Sequence, residues 1–125
     1  MIDNEGGQRE SAIRTSQVDG VALAQVDGKL DLKNSDKLLQ ILIKFQDEGK
    51  FRIVLDLSRV NFISSSGLGV ISATLERLKE EGGSLKLAGM RDEIRKVFEI
   101  LGMIEHFDIY EYPDEAIKAF ISAEK

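Results

Sequence analysis

Three consecutive serines, Ser64, Ser65 and Ser66, are the residues whose types and spacing best suit chemistry in this chain. An apolar segment and a short polar connection precede them, and Gly67 follows them where a helical pattern begins. The start of a helix exposes backbone N–H groups that lack partners, and it carries partial positive charge. A serine there is well placed to hold a phosphate, whether bound or covalently attached. The sequence therefore predicts phosphate chemistry where a loop joins a helix.

The serines also have a purely structural interpretation. A serine before a helix is an ordinary N-cap, which stabilises the helix by about 1 kcal/mol. Ser66 fits that role. A cap explains one serine easily and three in a row less easily.

Nucleotide binding and hydrolysis fit the chain less well. Gly67 and Gly69 begin a dinucleotide fingerprint, but Ser72 stands at its third glycine position, and no Lys precedes a Ser or Thr as in a P-loop. A serine hydrolase would need Ser65 to meet the one histidine, His106, and the serines do not form the G-x-S-x-G pattern of a nucleophile elbow. We therefore expect a protein that is not an enzyme and has no cofactor.

Two carboxylates follow apolar segments, Asp31 after Gly28-Lys29-Leu30 and Asp56 near the end of a predicted strand. The carboxyl ends of parallel strands share one edge of a sheet, so Asp31, Asp56 and Ser65 could be neighbours. The alternative is that Asp31 caps its helix and backbone groups satisfy Asp56, which we favour for Asp56. Two carboxylates are too few to argue for a metal, and none is expected.

Composition limits the function classes. The 125 residues are 42% hydrophobic and 31% charged, which indicates one soluble globular domain. A net charge of −5 argues against nucleic acid and anionic membranes as partners. The absence of cysteine excludes disulfides and thiolate sites. Because the sequence shows neither a secretory signal nor an apolar run long enough to cross a membrane, we expect a cytoplasmic protein without membrane insertion.

Strand and helix patterns alternate along the chain. Asp19-Gly20 is a strong hairpin signal, and helical or strand periodicity follows it as far as the C-terminus. The order ββαβαβαβα predicts an α/β fold with a mixed, mostly parallel sheet of about five strands, about four helices and an opening β-hairpin. We expect a flexible tail over residues 1–10 and a single domain over 11–125. The predicted strands are 11–18, 21–27, 51–57, 84–88 and 107–110, and the predicted helices end near Glu48, before Gly82-Gly83, near Leu101 and after Phe120.

The segment from Phe62 to Gly69 resembles the signature of the STAS domain of bacterial anti-sigma-factor antagonists, in which an aromatic-apolar pair precedes D-S-[SA]-G-L-G. Gly28-Lys29-Leu30-Asp31 is similar to the family's G-x-[LI]-D, and residues 89–102 resemble a third family segment. The resemblance covers roughly residues 11–122 and implies a single STAS domain. It implies phosphorylation of Ser65, with Ser64 and Ser66 as alternatives, because Ser64 stands where the family usually has Asp. The partner-binding residues that it implies are Asp31, Ser64, Ser65, Ser66, Gly67, Leu68 and Gly69.

The resemblance also implies a mechanism called partner switching. The unmodified protein would bind an anti-sigma factor that is also a serine kinase, and so release a sigma factor. Phosphorylation would end the binding, and a PP2C-type phosphatase would reset the protein, which is expected to be a monomer when free. The alternative is a STAS scaffold or regulatory subunit of a transporter or stress-sensing complex, without sigma-factor switching.

Overall fold

Strands and helices alternate in the computed structural model, which describes residues 12–123. The order of elements is the predicted one. The predicted tail, residues 1–10, lies outside the described residues. The strands are β1 (Ala12–Val18), β2 (Val21–Leu30), β3 (Arg52–Ile63), β4 (Ser84–Ala88) and β5 (Ile109–Tyr110), and the helices are α1 (Leu32–Asp47), α2 (Ser65–Glu80), α3 (Asp92–Ile100) and α4 (Pro113–Ala123), with a 3-10 helix at Ile104–His106.

The five strands form one mixed sheet in the order β1-β2-β3-β4-β5. β1 and β2 are antiparallel, and the remaining neighbours are parallel, as the sequence predicts. Asp19 and Gly20 have φ angles of 52° and 82°, so both residues of the hairpin turn are left-handed. Such a turn matches the twist of the strands that it joins, which is why Asp-Gly is a strong hairpin signal.

Helices cover the two faces of the sheet unequally. The larger core cluster joins α1, α2 and α3 to one face, where Leu38, Ile71 and Phe98 are fully buried. A smaller cluster places α4 on the other face, where Phe120 packs near Val54 and Ala88. The almost continuous apolar run in β3 is explained by this double coverage.

The two central strands are longer than predicted. β4 pairs with β3 only as far as Asp56, whereas β2 and β3 continue to pair up to Leu30 and Ile63. The predicted ends at residues 27 and 57 are therefore wrong. Gly28 does not end the strand, because its φ of 115° fits a register shift in which β2 continues. The result is a two-stranded extension that carries the starts of α1 and α2.

The predicted bounds near the C-terminus also need correction. The 3-10 helix occupies Ile104–His106, so β5 begins only at Ile109. Leu101, near which the third helix is predicted to end, directly follows the end of α3 and is 56% exposed.

Candidate functional site

The helices α1 and α2 begin side by side, and residues at both helix starts donate hydrogen bonds to the backbone carbonyl of Leu30. The backbone N–H of Ser64 and its side-chain hydroxyl each donate to this oxygen at 2.9 Å. The buried Ser35 hydroxyl donates to the same oxygen at 3.4 Å. One carbonyl at the end of β2 therefore holds the start of α2 against the first turns of α1.

The three serines have different environments. Ser64 is the N-cap of α2, because its Oγ accepts a hydrogen bond from the backbone N–H of Gly67 at 3.2 Å. The expectation that Ser66 serves as the cap is therefore wrong. Ser65 is the first helical residue and is exposed, and its hydroxyl has no hydrogen-bond partner within residues 12–123. Ser66 is half-buried. Of the three hydroxyls, that of Ser65 is the most accessible to a second protein.

The position of Ser64 explains why the fold accepts serine where the family signature has Asp. Serine and aspartate are both strong N-caps, so either residue can satisfy the N–H of Gly67. Only the serine hydroxyl can also donate to the Leu30 carbonyl, as it does here. The substitution keeps the cap, adds a link between the two helix starts and removes a negative charge beside Ser65.

Electrostatics at the start of α2 favour an added anion. The first turn of α2 contains no acidic side chain, and neither does that of α1. Unpaired N–H groups and the helix dipole give this end partial positive charge. A phosphate on Ser65 would therefore be tolerated by its own helix.

The two glycines of the site have different roles. A Cβ on Gly67 would lie 2.9 Å from Ile63 Cγ1, 3.1 Å from Ser35 Oγ and 3.3 Å from Leu30 Cβ, so the helix start packs closely against its neighbours. A Cβ on Gly69 would meet nothing within 4 Å. Gly67 is thus required by the fold, whereas Gly69 leaves an exposed helix surface bare. Leu68, between them, is buried and contributes to the core.

Asp31 lies at this site and Asp56 does not. Asp31 caps α1 by accepting a hydrogen bond from the backbone N–H of Asn34 at 3.0 Å, and it remains half-exposed. Asp56 is 3% exposed and lies seven residues before the end of β3, about 20 Å along an extended strand. Its carboxylate accepts hydrogen bonds from the Ser58 backbone N–H at 3.0 Å and from Gln25 Nε2 at 3.1 Å. The possibility that Asp31, Asp56 and Ser65 are neighbours is therefore wrong.

Among residues 12–123, the side chains around Ser65 form neither a hydrolytic site nor a metal site. His106 lies in the 3-10 helix beside Glu76 and Lys79, in the last turns of α2, so it cannot act on Ser65 at the first turn. No three His, Asp or Glu side chains within residues 12–123 come together as metal ligands would. The pKa of Glu48 is lowered by its hydrogen bond from Lys50, but Glu48 follows the far end of α1.

Sequence reasoning missed the residues that hold the site together. The Leu30 carbonyl is a backbone group, and no side-chain pattern identifies it. Asn34 and Ser35 are both buried, and Asn34 Nδ2 donates to the Lys29 carbonyl at 3.0 Å. The signal available in the sequence was that two adjacent polar residues occupy the first turn of α1.

Within the described part of the chain, no helix combines the length and apolar character needed to span a membrane.

Comparisons with known proteins agree with the observed fold. The family model of the STAS domain matches residues 12–116. BtrV of Bordetella bronchiseptica, named as an anti-sigma factor antagonist, is 34% identical over 107 residues, which are 86% of this chain and 92% of BtrV. The anti-sigma-B factor antagonist of Staphylococcus aureus is 31% identical over 91 residues, which are 73% of this chain and 84% of that protein. A crystal structure from Thermotoga maritima, described as an anti-sigma factor antagonist, superposes with a TM-score of 0.81 at 25% identity, covering 86% of this chain and 92% of that one.

Proposed function

This chain belongs to the STAS domain family, and from that premise we propose that it acts as an anti-sigma factor antagonist controlled by phosphorylation of Ser65. When unmodified, it binds an anti-sigma factor through the surface around Ser65, and this frees a sigma factor. Its relatives in Bordetella bronchiseptica and Staphylococcus aureus carry that functional name. Such antagonists are regulators rather than enzymes, and we infer the same of this chain.

The single observation that carries the proposal is the environment of the Ser65 hydroxyl. Ser65 is exposed at the first position of α2, between a serine whose hydroxyl is used in two hydrogen bonds and one that is half-buried. A modification of the Ser64 hydroxyl would remove the proton that it donates to the Leu30 carbonyl. A modification at Ser65 breaks none within the described residues, so Ser65 is the favoured acceptor.

Phosphorylation of Ser65 has balanced chemistry that needs nothing from this chain except its hydroxyl. The Ser65 oxygen attacks the γ-phosphorus of ATP, the bond to the β-phosphate oxygen breaks, and ADP leaves with magnesium bound to the nucleotide. The serine proton passes to a base of the kinase. The product carries about −1.5 to −2 charges at pH 7.

The added charge acts on the interface rather than on the fold. The start of α2 tolerates an anion, because its first turn contains no acid and its dipole favours negative charge. A partner surface that fits the neutral hydroxyl must instead desolvate the phosphate without a matching cation, which is costly. The complex therefore dissociates while the antagonist remains folded.

The remaining parts of the mechanism concern partners. The kinase is the anti-sigma factor itself, and a PP2C-type phosphatase removes the phosphate. The protein acts in the cytoplasm and is a monomer when free. Its partner surface comprises Asp31, Ser64, Ser65, Ser66 and Gly69, whereas Gly67 and Leu68 are buried and belong to the fold beneath this surface.

The proposal is tested by incubating the purified chain with ATP, magnesium and each host serine kinase of the anti-sigma type. Intact-mass and peptide mass spectrometry then locate any phosphate. One phosphate on Ser65, with loss of kinase binding, is the expected result. No phosphate with any kinase, together with a stable complex with a transporter, would overturn the proposal in favour of a transporter subunit.

A further inference from the structure

We propose that the partner kinase contacts the tip of the two-stranded extension from both sides. The tip is the part of the fold where β2 and β3 end at Leu30 and Ile63 and lead into α1 and α2. Leu32 and Phe62 are the apolar residues that anchor the kinase there. This inference rests on the function proposed for Ser65 and adds two residues that determine recognition of that serine. It follows from how Ser65 is fixed and from what is exposed around it.

Ser65 cannot enter a kinase as part of a flexible extended peptide without unfolding the start of α2. The preceding cap, Ser64, is fixed by hydrogen bonds to Leu30 and Gly67, and Gly67 packs against Ile63 with no room for a Cβ. The kinase must therefore accept the folded shape of the tip. To bring ATP to the Ser65 hydroxyl, it must also bury the surface that surrounds this residue.

Two large apolar side chains at that tip are exposed. Leu32 is 72% exposed at the first position of α1, which corresponds to the position of Ser65 in α2. Phe62 is 46% exposed in β3, three residues before Ser65. The other apolar residues next to them, Leu30 and Ile63, are at most 8% exposed. Leu30 and Ile63 are therefore used in the core, whereas Leu32 and Phe62 are exposed and can contact a partner.

The two side chains lie on opposite sides of the tip. Successive strand residues point to opposite faces of a sheet, and Ile63 packs into the cluster beneath α1 and α2. Phe62 therefore lies on the face away from those helices, whereas Leu32 lies on the helix side. A kinase that contacts both must have an apolar cleft that receives the tip between two walls.

Charge identifies the chemistry of that cleft further. The exposed Lys33 stands in the first turn of α1, which contains no acid, although the chain as a whole carries a net charge of −5. The half-exposed Asp31 lies two residues before Lys33, so a rim that pairs with both charges would favour this orientation. The occupant is thus a folded kinase domain with an apolar cleft and a rim that carries both signs of charge.

The test compares Leu32→Ser and Phe62→Thr with the wild-type chain, using the kinase that modifies it. The matched control is Ile100→Ser, because Ile100 is 76% exposed at the end of α3, outside the two-stranded extension. We expect each tip variant to lower kcat/KM for phosphorylation roughly tenfold, through a higher KM with kcat little changed. The control variant keeps the wild-type rate, and all three variants keep the wild-type circular dichroism spectrum and melting temperature.

The outcomes separate this inference from the proposed function. If the tip variants are phosphorylated as fast as wild type, the anchors are wrong while Ser65 remains the acceptor. If Ile100→Ser slows the reaction equally, the kinase uses exposed apolar residues in general, and the anchoring role is also wrong. If no host kinase phosphorylates the wild-type chain, the proposed function fails and the inference fails with it.

Discussion

The Ser64 hydroxyl donates a 2.9 Å hydrogen bond to the Leu30 carbonyl and thereby ties the start of α2 to the end of β2. The same hydroxyl accepts from the backbone N–H of Gly67. One side chain therefore caps a helix and also joins it to the neighbouring strand. These two hydrogen bonds of Ser64 position the exposed Ser65, whose own hydroxyl takes part in neither of them.

Replacing Ser64 with Ala removes both hydrogen bonds. We expect the free energy of unfolding to fall by about 1–2 kcal/mol, since a lost N-cap alone costs about 1 kcal/mol. Ser64→Asp restores the cap but cannot donate to Leu30, so its stability should lie between those of Ser64→Ala and the wild type. Urea unfolding followed by circular dichroism measures all three chains. Equal stability of Ser64→Ala and the wild type would mean that neither bond contributes.

Substitutions at Ser65 should separate binding from stability. Ser65→Ala removes the phosphate acceptor without breaking a bond in the described structure, so it should bind the anti-sigma factor constitutively. Ser65→Asp places a negative charge at the interface and should weaken binding by at least about tenfold, or 1.4 kcal/mol. The same charge lies at a helix start, where it should leave stability unchanged or raise it by about 0.3–1 kcal/mol.

Calorimetric binding and thermal unfolding on the same samples check both statements. If Ser65→Ala loses binding, the hydroxyl is itself a contact rather than a switch. If Ser65→Asp loses binding only because it unfolds, the charge argument is wrong. The unfolding measurement distinguishes these cases.

The fold was predictable where local pattern and tertiary structure agree. The Asp19-Gly20 turn, the apolar spacing of the helices and the alternation of elements were sufficient for the order of elements and for a mixed, mostly parallel sheet. The extension of β2 and β3 was not predictable in the same way. Gly28 and the polar residues around Ser58 have the composition of loops, but they form strand because β2 and β3 pair there. The cluster beneath α4 does not extend to that part of the sheet. Polar side chains can therefore face solvent there.

The location of the site at the start of a helix was predictable, but the arrangement of its residues was not. The serine run before Gly67 indicated a phosphate site, and the structure places Ser65 at the exposed first position of α2. Ser64 caps the helix through Gly67, but it is also held by Leu30, a residue 34 positions earlier. The possibility that Asp56 lies near Ser65 stayed open because the length of β3 beyond Asp56 was unknown. Long-range distances of this kind do not leave a signal in local sequence.

Alanine substitutions at the two site glycines should have opposite effects on stability. Gly67→Ala forces a Cβ within 2.9 Å of Ile63 Cγ1 and should destabilise the fold by about 1–3 kcal/mol. Gly69→Ala places a Cβ in open space on a helix and should stabilise it by about 0.5–1 kcal/mol.

The two variants also test the partner surface. If the anti-sigma factor approaches the bare surface at Gly69, Gly69→Ala binds it more weakly although the variant is more stable. Denaturant unfolding and calorimetric titration measure the two effects. Wild-type affinity of Gly69→Ala would remove Gly69 from the proposed surface, and a stable Gly67→Ala variant would contradict the close packing at Ile63.

Thr74 offers a change in α2 that should affect stability alone. Its side chain is fully buried, and its Oγ1 has no hydrogen-bond partner within residues 12–123. A buried hydroxyl without a partner costs about 1–3 kcal/mol of desolvation, so Thr74→Val, which keeps the shape and removes the hydroxyl, should raise the free energy of unfolding by about 1 kcal/mol. Thr74→Ser is the matched control, because it keeps the hydroxyl, loses a buried methyl and should lower stability by about 0.8 kcal/mol.

Both variants should be phosphorylated at the wild-type rate, since Thr74 lies about two and a half turns beyond Ser65. A destabilised Thr74→Val variant would show that the hydroxyl does have a partner, for which the carbonyl of Val70 one turn earlier is the nearest candidate in a helix.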